Sequence, residues 1–292
     1  MRLWKWLPGM FLFKIQYAMK TKYTVSLLIF IIVLAGNFKL SAQVLKRYLT
    51  IGEVSIPIDN VIMLDSVGED KQLSYKASFD VQIKSGNQVA ILVQLQSLLT
   101  SKTPSELALS TLNFKMAPLE ERTYTESTIE EIIFPELKAD GRESLSVRVK
   151  IKAKSVNINQ HIFKKPSGNS VRPSTGLVSN FRMDIDKLPG NRITSIGNII
   201  LRSGNDKEPF FYIEMSEVDA KLWREWLVTG NDIKKQGVIE LLTPNLKDVI
   251  MRLKLTDVQI VSNSTRYKST DTQPSTTIIG LRVGAVEVMA DK

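Results

Sequence analysis

The stretch from Leu145 to Lys154 constrains the fold more than any other part of the chain. Leu145, Val147, Val149, Ile151 and Ala153 alternate with Ser146, Arg148, Lys150, Lys152 and Lys154 without a break. Successive side chains on a strand point to opposite faces, so this pattern is a half-buried strand with an apolar inner side and a basic outer side. The same period of two recurs in Val54, Ile56 and Ile58, in Leu73, Tyr75, Ala77, Phe79, Val81 and Ile83, and in Leu107, Leu109, Thr111 and Asn113. It returns in Phe181, Met183 and Ile185 and in Ile196, Asn198 and Ile200. The chain is therefore expected to be mainly β.

Turn chemistry separates these runs. Gly68-Glu69-Asp70 and Leu188-Pro189-Gly190-Asn191 supply residues suited to tight turns. Two helices break the pattern. Asn87 is placed to cap one with Ile91, Leu95, Leu98 and Leu99 on one side, ending before Pro104. Ser216, with Asp219 three residues on, opens a shorter one whose stripe is Val218, Leu222 and Trp226, with Trp223 beside Leu227 to broaden it.

The order two strands, one helix, strands, final strand occurs twice, which implies a duplication at the level of fold. We place a first β domain at 43–160 and a second at 177–292. Between them, residues 161–176 carry two prolines, two glycines and three serines without periodicity and read as a linker. A second polar stretch, Asn263 to Thr277, interrupts the last hairpin and is expected to be an exposed loop.

Of 292 residues, 39 are Lys or Arg and 30 are Asp or Glu, a formal charge of +9. Arg2, Lys5, Lys14, Lys20, Lys22 and Lys39 all precede Gln43, where no acidic residue occurs. Removing those six leaves 33 against 30, too small an excess to hold a phosphate backbone by bulk charge, so no nucleic-acid partner is expected. The same N-terminal segment has the parts of an export signal: Lys20 and Lys22, an apolar run from Val25 to Gly36, and Leu40-Ser41-Ala42. We expect residues 1–42 to be a cleaved signal peptide that starts at Met19, and the protein to be periplasmic, envelope-associated or secreted. A retained N-terminal anchor is the alternative, opposed by an apolar run shorter than the roughly 20 residues a spanning helix needs.

Catalytic chemistry finds little purchase. There is no cysteine and one histidine, His161 in the linker, so neither a thiol site nor a histidine-based metal cluster can be assembled. Glu120-Glu121 and Glu130-Glu131 are adjacent on strands and are expected to point to opposite faces. Asp184 and Asp186 share a face without a glycine-containing calcium loop and read as a solvated strand edge. We expect a non-enzymatic protein with no cofactor and no metal.

Two features invite a functional reading. Trp223, Trp226 and Leu227 are candidates for a subunit interface as well as for the core, because aromatic residues concentrate at interface centres. Arg148, Lys150, Lys152 and Lys154 form a basic row, which is also how a strand facing solvent resists pairing with other edges.

The phrases 177–204 (LVSNFRMDIDKLPGNRITSIGNIILRSG), 223–262 (WREWLVTGNDIKKQGVIELLTPNLKDVIMRLKLTDVQIVS) and 276–289 (TTIIGLRVGAVEVM) resemble the phage-tail-like proteins. These are relatives of the tail tube subunit of contractile phages and of the haemolysin-coregulated protein of type VI secretion. The matching features are the NFRMDID opening, the LPG turn, the Trp-bearing helix, LLTPNLKDVIMRLKL and the closing strand. The first half adds FPEL, the ADGRE turn and the long alternating strand, although its helix lacks the Trp pair.

The resemblance implies two tandem tail-tube-like β-barrel or sandwich domains, each with one short helix, that self-associate edge to edge. Three copies would make a pseudo-hexameric ring, with other injection-system or envelope proteins as further partners. It also implies that Val147 and Val149 belong to a subunit interface and that the row from Arg148 to Lys154 faces a lumen. The competing expectation is an exported, monomeric β-barrel binding module that holds a protein or glycan through loops such as Asn263 to Thr277.

Overall fold

The computed structural model describes residues 45–67, 73–83, 86–141, 145–160, 180–190, 192–204, 208–229, 233–243, 246–267 and 275–290. The proposed signal peptide and the linker with His161 lie outside them. Among the described residues no helix is long and apolar enough to cross a membrane. Leu45 to Lys292 forms one compact unit.

The first half holds β1 (Lys46–Ile51), β2 (Val54–Val67), β3 (Leu73–Gln82), α1 (Gly86–Ser101), β4 (Ser105–Leu112), β5 (Pro118–Phe134), β6 (Leu137–Lys138), β7 (Ser146–Ala153) and β8 (Ser155–Asn159). The alternating stretch is β7, and it behaves as its pattern dictates: Val147, Val149 and Ile151 are fully buried while Arg148 and Lys152 are exposed. All pairings are antiparallel. β4 pairs β1, β1 pairs β2, β2 pairs β3, β3 pairs β7, and β7 and β4 both pair β5, which closes a six-stranded ring. β7 and β8 run on as one ladder along a single edge of β5.

The second half holds β9 (Asn180–Ile185), β10 (Ile193–Ile196), β11 (Ile199–Arg202), β12 (Phe210–Ser216), α2 (Lys221–Thr229), β13 (Lys235–Leu242), β14 (Val249–Arg266), β15 (Thr276–Arg282) and β16 (Ala285–Ala290). The scheme repeats: β9 pairs β13, β13 pairs β14, β14 carries β15 and β16 along one edge, β15 pairs β12, and β12 pairs β10. The molecule is thus mainly β, with two barrel-like sheets. The second sheet has no β9–β10 pairing among the described residues, and β6 of the first half occupies that seam by pairing β10. In return β11 leaves its own sheet and pairs the end of β5, on the edge that β4 vacates. One apolar cluster, from Leu49 to Val288, runs through both halves.

Three local expectations change. Ile196, Asn198 and Ile200 do not share a buried face: the strand breaks at Gly197, and Ile193, Ile196, Ile199 and Leu201 are buried while Asn198 is exposed. The polar stretch Asn263 to Thr277 is not all loop, because β14 continues to Arg266 and β15 begins at Thr276. Glu130 and Glu131 do not point apart. A bulge between Ile129 and Glu131 in the β5–β7 ladder lets Glu130 reach Lys76 at 3.5 Å and Glu131 reach Lys150 at 2.8 Å on the same outer face.

Candidate functional site

The two phrases most prominent in the second half meet each other. The chain turns after β9 with the Leu188 N–H donating to the Ile185 carbonyl at 2.8 Å, Lys187 at φ 61°, and Gly190 pressed against the strand. A Cβ at Gly190 would lie 1.6 Å from the Met183 carbonyl oxygen, so only glycine fits. The Trp223 indole N–H donates to the Pro189 carbonyl at 3.1 Å, which ties α2 to this turn. The Trp226 ring lies 6.5 Å from that of Trp223, with the Lys235 ammonium 5.3 Å from its centroid.

The buried face of α2 is Trp223 and Trp226, continued by Ala220 just before the helix, with Leu227 half-buried; Val218 and Leu222, expected on the inner stripe, are exposed. The helix begins at Lys221, so Val218 precedes it and the spacing that counts is i, i+3 and i+6 from Ala220. Trp223, Trp226, Val147 and Val149, expected at a subunit interface, lie in the core of the chain itself, and Leu227 is half-buried and packs against that core.

The row Arg148, Lys150, Lys152, Lys154 does sit on the outer face of the first barrel, and most of its charge is answered there. Arg148 donates to Asp80 at 2.8 and 3.2 Å, Lys150 to Glu131 at 2.8 Å, and Lys154 to Glu126 at 3.0 Å. Lys152 has no carboxylate partner among the described residues. Asp80 is 4% exposed. Burial alone would raise its pKa, but hydrogen bonds from Arg148 and Asn60 outweigh that and hold it below the ordinary aspartate value. The Glu131 carboxyl is also lowered, first by Lys150, against the opposing effect of burial, and then by Arg202. Arg202 belongs to β11, 2.9 Å from Glu131, so this triad stitches the second half onto the first.

Sequence reading missed the most specific contact between the halves. The Gln96 amide of α1 donates to the Val286 carbonyl and accepts from the Val288 N–H at 2.7 Å. A side-chain amide here pairs with the edge of β16 as a neighbouring strand does. The reach of 190 residues leaves no local signal, and Gln96 is one of three glutamines on a largely apolar helix, with nothing in the sequence to single it out. Asp184 and Asp186 are exposed; Asp186 accepts from the Gln236 N–H at 3.1 Å. Among the described residues no group of three or more His, Cys, Asp or Glu side chains is placed to hold a metal.

Several strands pair on one side only among the described residues, and two of these open edges lie on the long strands β2 and β14. Ile62–Val67 of β2 pairs β3 on one side and no strand on the other, and Ile62 and Leu64 point outward at 62% and 58% exposure. Gln259–Arg266 of β14 pairs β15 but lies beyond the reach of β13, which ends its pairing at Val258. No protein-family model matches the chain, and no curated protein matches it in sequence.

Proposed function

We propose that this chain is an exported, non-enzymatic structural protein that assembles with copies of itself, in the manner of the tail tube subunits it resembles, with three copies forming a ring of six barrel modules. The observation that carries this reading is the junction between the halves. Each half gives a strand to the other, β11 to β5 and β6 to β10, so the two modules meet head to tail through unlike surfaces. Unlike surfaces that mate once within a chain leave the complementary pair unmated at its two ends, and such heterologous contacts close into rings or continue as filaments. Other injection-system or envelope proteins are the further partners this role implies.

The test is light scattering coupled to size exclusion, with negative-stain microscopy of the principal species. A mass of three or six chains, with ring images, is the expected result. A monomer at micromolar concentration would sink the assembly reading and favour an exported binding module that holds a protein or glycan through its loops.

A further inference from the structure

The open edges of β2 and β14 are counterparts of the two that already mate inside the chain. Ile129 and Ile260 each immediately precede a bulge in the equivalent ladders β5–β7 and β14–β15. Counting on from them, Glu131–Phe134, which receive β11, correspond to Ser262–Thr265 of β14. Likewise Ser195 opposite Glu214 corresponds to Asp59 opposite Asp80, so β11 corresponds to the outer half of β2. The edge of β11 that joins β5 is therefore matched in β2 by the open edge that carries Ile62 and Leu64.

From this we infer that a second copy of this chain docks with its β14 edge, Ser262–Thr265, against the β2 edge, Ile62–Val67, and repeats the β5–β11 junction between molecules. This deepens the self-assembly reading and rests on it. The physical drive is the same as within the chain: unpaired backbone donors and acceptors on both edges find partners, and two exposed aliphatic side chains leave water. Within the chain, outward Ile200 lies opposite outward Ile133. The same register places Leu64 opposite Ser264, both exposed. The occupant is specified by that correspondence and not by apolar character alone, since the Ser262-Asn263-Ser264-Thr265 edge is polar and contributes main-chain pairing.

The chain has no cysteine, so an introduced pair reports without background. Two tagged full-length copies, one with Leu64→Cys and one with Ser264→Cys, are expressed together and treated with a mild oxidant. The expected result is a disulfide-linked heterodimer about tenfold more abundant than when Ser264→Cys is replaced by Thr229→Cys, because docked edges raise the effective thiol concentration. In parallel, Leu64→Lys is expected to keep the circular dichroism spectrum and reduce the light-scattering mass to that of one chain. If the wild-type protein is oligomeric but the heterodimer stays at the control level, or Leu64→Lys leaves the mass unchanged, this interface is wrong and self-assembly survives. A wild-type monomer overturns both.

Discussion

The two barrels use one pairing scheme and differ in how they are completed. The first closes on itself through β5, which pairs β4 with its first half and β7 with its second. The second leaves a seam between β9 and β10, filled by two residues borrowed from the first, Leu137 and Lys138. The tight turns differ in the same sense. Gly52 between β1 and β2 has open space around its missing side chain, with φ at 58°, whereas Gly190 is wedged against backbone. The lesson is that repetition of a fold need not repeat its stability: the first barrel is completed by its own strands, and the second depends on contacts from its neighbour.

The sharpest way to break this comparison is at the two glycines. Gly190→Ala places a methyl group inside the van der Waals radius of a carbonyl oxygen and is expected to cost about 4 kcal/mol or more, or to prevent folding of the second sheet. Gly52→Ala meets nothing and carries only the left-handed backbone penalty, about 1 kcal/mol. Urea unfolding followed by circular dichroism separates the two. Equal losses would mean that Gly190 is no more constrained than Gly52.

Next in size is the borrowed strand. Leu137 is 6% exposed, and Leu137→Ala is expected to remove about 2–3 kcal/mol of stability. Hydrogen exchange should quicken first in β9 and β10, and much less in β1 and β2. Acceleration confined to the first barrel would show that β6 does not support the seam.

Replacement of Gln96 by Leu leaves the Val286 carbonyl and the Val288 N–H without their amide partner. The expected loss is about 1–3 kcal/mol, read as a lower urea midpoint. Gln96→Glu keeps one acceptor for the Val288 N–H but sets a carboxylate against the Val286 carbonyl, so its deficit should shrink as pH falls and the carboxyl becomes protonated. A deficit independent of pH would remove the strand-mimic account of Gln96.

The smallest effect concerns Asp80 on the first barrel. Its pKa is depressed in the folded state, so its contribution to stability is fully present above the unfolded aspartate value, near 3.8, and is lost as pH falls through the lower folded value. Asp80→Asn should therefore be less stable than the parent at neutral pH, and the gap should narrow below pH of about 4. A gap that stays constant through this range would show that the Arg148 pair contributes no pH-dependent stability.

The inner faces of β3 and β7 were legible because strict alternation reports burial on one side directly, and Phe79, Val81, Val147, Val149 and Ile151 all turn inward. Where the ladder slips, the same rule misleads. Glu130 and Glu131 share a face because of a bulge that no residue type announces, and Ile196 and Ile200 part company at Gly197. The helix α2 was legible as a helix but not in its orientation, because Val218 precedes its first turn and the Pro189 carbonyl holds Trp223 inward.

What the residues determined unaided is the local period: β structure from alternation, two helical breaks, a turn at Pro189-Gly190, and an order of elements that occurs twice. Those follow from interactions between neighbours along the chain, which a sequence displays. Tertiary structure decided which edges were consumed. Whether β11 pairs within its own barrel or with β5, and whether β16 is met by a strand or by the Gln96 amide, depends on backbone groups that are alike at every residue. Their pairing is settled by what distant segments bring into reach, and among the described residues it leaves the outer part of β2 and the far end of β14 paired on one side only.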